Sequence, residues 1–169
     1  MTSSAITLTG EKADLIESLD RHRYFLRFAA RGLTDEQALQ RTSVSQLCIA
    51  TLIKHVTATE AMWMRFLQGG AEAMGNDPEA WARDWRIEPG ETLEGLLAAY
   101  DGVARSTDDL VAALPDLDAA HPLPQAPWFA PGAAWSARRV LLHIVAETAQ
   151  HAGHADIIRE GIDGQKTMG

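Results

Sequence analysis

Apolar and polar positions along the chain alternate with a period of about 3.6 residues in four long stretches, the signature of amphipathic helices. The first runs from about Gly10 to Ala30 and puts Leu15, Leu19, Leu26 and Ala29 on one face, with Gly32 to stop it. Thr34 then heads Thr-Asp-Glu-Gln, a capping box with Gln37 at its third position, which predicts a short helical turn. Ser45 is placed to cap a second long helix from about Gln46 to Leu67, ended by Gly69-Gly70. Its inward stripe reads Cys48, Thr51, Leu52, His55, Thr59, Met62 and Phe66. The third helix covers about Thr92 to Leu114, with Leu93, Leu96, Leu97, Tyr100, Val103, Leu110, Val111 and Leu114 in phase. Ser136 caps the fourth, which carries Val140 to Glu160 and is closed by Gly161 and Gly164.

Between these stretches the pattern fails. Residues 69–90 hold Gly, Asn and Pro with Trp81 and Trp85, a connection with room for one helical turn. A connection of about 20 residues is uncommon in a compact domain and points to a crossover or a functional wall. Residues 115–134 contain Pro115, Pro122, Pro124, Pro127 and Pro131 and are expected to be loop. Residues 1–9 form a loose lead, Gln165 to Gly169 a frayed tail, and no stretch reads as a strand. The expected architecture is all-α: one domain over residues 1–169, a four-helix bundle with long crossover connections.

Composition narrows the setting. A length of 169 residues suits one domain with a substantial core, and 46% hydrophobic with 22% charged content is ordinary for a globular protein. Net charge is −8 with no basic cluster, which argues against a nucleic-acid partner. No apolar run approaches the length of a membrane span, and the N-terminus lacks the basic and apolar regions of a signal peptide. A single cysteine, Cys48, excludes an internal disulfide and fits a reducing cytoplasm. Twelve Arg against three Lys, with one Asn and much Ala, suggests a GC-rich source.

The chemistry sits in VLLHIVAETAQHAGHADIIRE. Val140, His143, Ile144, Glu147, His151, His154, Ala155 and Ile158 share one arc, apolar at both ends with a carboxylate and three imidazoles in its middle. A buried carboxylate must be paired, protonated or bound to metal. At 1.5 Å per residue, His143 and His154 stand roughly 16 Å apart and cannot share an ion. His143 with Glu147, and His151 with His154, remain pairs within reach, but Glu147 with His151 is central, and His55 faces it from the second helix. One His on an apolar face is ordinarily a hydrogen-bonded core residue; polar groups on two inward faces favour a metal. Two imidazoles and a carboxylate leave coordination positions open, as a catalytic site requires. Cys48 lies roughly 10 Å along the helix from His55 and reads as core. Trp128-Phe129, in the Pro-rich loop before the fourth helix, are candidates for an apolar wall that receives a bound reactant.

These residues resemble a known family. HIVAETAQHAGHADIIRE is similar to the terminal motif of the DinB-like (DinB/YfiT-type) superfamily, regarded as metalloenzymes. The closer match is its actinobacterial branch, with a His–x–x–x–Glu–x–x–x–His–x–Gly–His run ahead of an Asp and an Arg-Glu. LIKHVTATEAMW, with His55, Glu60 and Trp63, resembles its second-helix motif, and PWFAPGAAWSARRV its loop and the start of its last helix. The resemblance spans most of the chain and is least specific over residues 70–120. It implies a bundle holding a divalent metal on three side chains. The subgroup resembled includes mycothiol-dependent maleylpyruvate isomerase and mycothiol S-transferases, and has Glu where most members have a third His. By that match His55, Glu147 and His151 are the ligands, zinc the expected ion and nickel the alternative. His154 falls outside the triad, as a second-shell or substrate-facing group with a part in catalysis. A low-molecular-weight thiol, mycothiol or a similar one, is the implied co-substrate, with a small electrophile as its partner. No nucleic acid or membrane is implied, and a homodimer is left open.

Three activities compete on these residues. A thiol S-transferase would use the ion to keep a thiol ionised. A metal-dependent hydrolase would need a general base, for which His143 and His154 are placed. A non-catalytic metal-binding stress protein would keep the site without turnover. Thiol-dependent turnover of an electrophile separates the first from the others.

Overall fold

The computed structural model describes residues 8–75 and 77–167; most of the expected loose lead and the end of the expected tail lie outside the described residues. Four long helices form the bundle: α1 (Glu11–Ala30), α3 (Ile49–Ala73), α5 (Leu93–Ala113) and α6 (Ala137–Asp163). Two short helices, α2 (Asp35–Ala38) and α4 (Pro78–Arg83), lie in the connections, with a two-stranded antiparallel sheet of β1 (Ala120–Pro122) and β2 (Ala134–Ser136). α6 packs against α1 and α3, and α3 against α5. Among the described residues no helix is long and apolar enough to cross a membrane.

Expected caps form where their chemistry is local. Thr34 and Gln37 make the reciprocal capping box of α2, and Ser136 accepts from the Arg139 amide; Thr92, expected only as the start of the third helix, is its N-cap and accepts from the Gly95 amide. Elsewhere the structure corrects the pattern. The second long helix begins at Ile49, with Cys48 and not Ser45 as N-cap. The Ser45 hydroxyl accepts from the Leu47 amide at 3.2 Å, a local turn that competes with helix entry. The end of the helix is as expected: Gly69 and Gly70 both leave helical φ/ψ, the latter at φ 69°, and a short further helical segment follows across this kink to Ala73. The helical turn expected within residues 69–90 is α4, capped by Asp77 on the Glu79 amide. The expectation of no strand is overturned by β1 and β2, which pair His121 with Trp135. Three-residue strands are too short to show a period, and Pro122 ends one of them. Gly161 does not end α6. It lies within the helix, where a Cβ would come 2.6 Å from the Thr42 Cβ, and left-handed Gly164 is the cap.

The stripe expected on α3 divides into two. Leu52 and Phe66 are buried in the core, whereas His55, Thr59 and Met62 are half-buried and line a cavity. The core itself has two apolar clusters. One gathers Leu26, Ile53, Val56, Leu96, Tyr100 and Ile158, the other Leu19, Trp63, Phe66, Val111, Val140 and Ile144. Between them along the chain every long helix contributes a fully buried polar residue: Arg23, Glu60, Thr107 and Thr148. Arg23 bonds both Glu60 carboxylate oxygens and, through Nη1, Asp20 at 2.7 Å and Asp108 at 2.9 Å. This polar layer matches helix to helix between the two clusters; Glu147 is next to Thr148 in it, and His55 lies just over a turn before Glu60.

Candidate metal centre

His55 comes from α3, and Glu147 and His151 from α6, one turn apart on the same face. Each offers a ligand atom, and the three atoms lie within 4.8 Å of one another. The His151 Nε2 stands 3.4 Å from Glu147 Oε2, and the His55 and His151 rings meet edge to face with centroids 4.9 Å apart. Burial lowers the His55 pKa to about 4, reinforced by His151 and opposed by Glu147. Its imidazole is therefore neutral, with a lone pair free to bind. Hydrogen bonding to His151 holds the Glu147 carboxyl below its ordinary range despite burial, so it is ionised. Two imidazoles and a carboxylate within ion-sharing distance fit a divalent cation.

Neighbouring groups hold these side chains in place. Trp85 stacks on His55 with centroids 4.0 Å apart at 22°. Its position follows from Lys54, the residue before His55, which binds the Arg86 carbonyl at 2.8 Å and Glu91 at 2.7 Å. The segment after α4 is thereby fastened to α3 where the ligand sits. On the far side of His151, its Nδ1 lies 3.3 Å from His154 Nδ1. With Nε2 turned to Glu147, the His151 Nδ1 shares one hydrogen bond with His154, its direction set by the tautomer; an ion on Nε2 would make Nδ1 the donor, the contact that fixes ring plane in metal sites. His143, one turn before Glu147, has its Nε2 3.9 Å from Glu147 Oε1 and its pKa lowered by burial.

A cavity of about 800 Å³ opens beside the centre, within the range of small-molecule sites. His55, Glu147 and His143 are in its wall, with Trp85, Trp128 and Phe129. The structure thus brings His55, Glu147 and His151 together and puts Trp128 and Phe129 on the adjoining wall. His154 touches His151 and is not among the cavity's lining residues. Cys48 is buried in the core cluster at the start of α3, its Sγ 3.3 Å from the Thr51 hydroxyl. Sequence reasoning did not single out Trp85. Only the Lys54 and Glu91 anchors would have hinted at where a tryptophan in that connection comes to rest.

The family model described as mycothiol-S-transferase matches residues 14–164. The crystal structure of a conserved protein from Enterococcus faecalis has the same fold, with a TM-score of 0.69 at 13% identity, over 94% of this chain and 100% of that one. No curated protein matches.

Proposed function

This chain belongs to the mycothiol-S-transferase family, and from that premise we propose that it is a divalent-metal-dependent S-transferase joining mycothiol, or a similar small thiol, to a small electrophile. The observation that carries the reading is the set of three donor atoms within 4.8 Å of one another, with His55 and Glu147 opening onto the cavity. A divalent ion held by His55, Glu147 and His151 would supply the Lewis acidity that ionises a thiol at neutral pH, where a free thiol of pKa about 8.5 is mostly protonated.

The chain's own residues prepare the site. Burial keeps His55 neutral, and Glu147 contributes one negative charge, so a thiolate is not repelled by a second anionic ligand. Trp85 covers the His55 ring, and His154 orients His151, so its part in catalysis runs through a ligand and not through contact with substrate. The chain's one cysteine, Cys48, is buried in the core, so the nucleophilic sulfur comes from a separate molecule. In the reaction the thiolate sulfur forms a bond to the electrophilic carbon as the bond to the leaving group breaks. The leaving group departs with that electron pair, and the thiol proton passes to solvent. Trp128 and Phe129 wall the space for the electrophile.

The test is thioether formation from a bimane or chlorodinitrobenzene-type electrophile with mycothiol, glutathione or cysteine, with and without a chelator. Metal-dependent turnover with a small thiol is expected. Absence of any such rate across a panel of electrophiles would turn the assignment towards the hydrolase or the non-catalytic protein.

A further inference from the structure

All five tryptophans of the chain line the cavity beside the metal centre. They fall into two groups. Trp63 and Trp135 stack on each other at 4.8 Å, and the Arg139 guanidinium lies 4.3 Å over Trp135, so these rings are taken up within the fold. Trp81, Trp85 and Trp128 are 54%, 41% and 63% exposed. Trp85 gives one face to His55, while Trp81 and Trp128 stack at 5.7 Å across the cavity, joining α4 to the loop before β2. Three open indole rings around one cavity present a large apolar area to water, and a patch of that kind marks a binding surface.

The polar groups of this wall restrict what binds. Asp77 is paired with Arg83 at 3.0 Å and Asp84 is offset by the Arg65 guanidinium, so away from the metal centre the wall offers no net charge to select a charged ligand. The Asp84 carboxyl is itself pushed up by burial, in a wall otherwise dominated by aromatic, methionine and alanine side chains. Flat aromatic rings prefer flat aromatic partners by more than the area they bury. Resting on the S-transfer assignment, we propose that the electrophile is a neutral, planar aromatic compound, its ring held on Trp85 and Trp128 beside the thiol-binding centre.

The test needs no turnover. Equilibrium dialysis measures the binding of 2-methylnaphthalene and of its saturated analogue, 2-methyldecalin, to the metal-loaded and metal-free protein. The aromatic compound is expected to bind about ten-fold more tightly. The double variant Trp85→Leu/Trp128→Leu should lose that preference; the single variant Trp128→Leu, which leaves the Trp85–His55 stack intact, should reduce it with a cooperative unfolding transition retained. Equal affinity for the two hydrocarbons, or a preference that survives in the double variant, would overturn the proposal. So would displacement of the naphthalene by an inositol–glucosamine fragment, which would assign the aromatic wall to the thiol's polyol carrier. Naphthalene binding without thiol-dependent turnover would keep the aromatic site and remove the S-transferase; turnover without aromatic preference would do the reverse.

Discussion

His55 couples the metal centre to the stability of the chain, because burial holds its imidazole neutral down to about pH 4 against an ordinary value of 6.5. Its folded pKa is depressed, so the unfolded chain binds the extra proton between those two values. The stability it contributes is present above pH 6.5 and is lost as pH falls through that window, at about 1.4 kcal/mol per pH unit for a full proton. His143 shifts in the same direction. The unfolding midpoint of the metal-free protein should therefore fall on acidification across this window, and His55→Gln should flatten the slope; an unchanged slope would contradict the burial argument. Metal binding separates the residue roles. Loss of the ligand atom in His55→Ala or His151→Ala should abolish stoichiometric metal in the purified protein. His154→Ala should retain the ion with affinity weakened about 10- to 100-fold, because it removes only the partner of the His151 ring. Chelator competition measures both, and loss as complete as in His151→Ala would make His154 a ligand. The triad was legible in the sequence because a helix puts residues four apart on one face and both inward faces carried the polar groups. Trp85 was not, since its place over His55 depends on how a connection folds back onto α3.

At the level of elements, the break at Gly69–Gly70 is what turns the end of α3 towards α4 and so brings Trp81 and Trp85 to the cavity. Gly70 has φ 69°, and a Cβ there would stand 3.3 Å from His121 Nδ1 on β1. Gly70→Ala combines left-handed strain with that contact and should destabilise by about 1–2 kcal/mol or more. A denaturant midpoint equal to the parent's would show that the break tolerates a side chain. The glycine pair was visible in the sequence as a helix stop, and both residues do leave the helical region; the short helical segment that follows them to Ala73 was not visible, since it depends on the packing against His121. Similarly, the long helices were legible from periods sustained over many turns. The β1–β2 pairing was not, since it joins three-residue segments at either end of a Pro-rich loop. Cys48 capping α3 in place of Ser45 was equally hidden, because either residue precedes an apolar run.

Across the whole molecule, the buried layer of Arg23, Glu60, Thr107 and Thr148 sets the registration of four helices between two apolar clusters. Glu60→Leu leaves the Arg23 guanidinium buried without its main partner and should cost about 3–5 kcal/mol in urea unfolding. Arg23→Met combined with Glu60→Leu should recover most of that loss, because an apolar pair of similar volume carries no desolvation penalty. A double variant no better than the single would mean that the pair itself, and not the orphaned charge, holds the bundle. Glu60 and Thr148 lie on the same two helices as the ligands, within about a turn and a half of them, so the contacts that register α3 against α6 also set His55 opposite Glu147 and His151. The most direct test of the central claim, that these three residues hold a metal on which S-transfer depends, is a titration of metal-free protein with zinc. The initial rate of thioether formation from mycothiol is followed at each addition. The account predicts a rate that rises from background and levels off at one equivalent of zinc, with no rise in Glu147→Ala. Full activity before any metal is added, or an undiminished rise in Glu147→Ala, would contradict it.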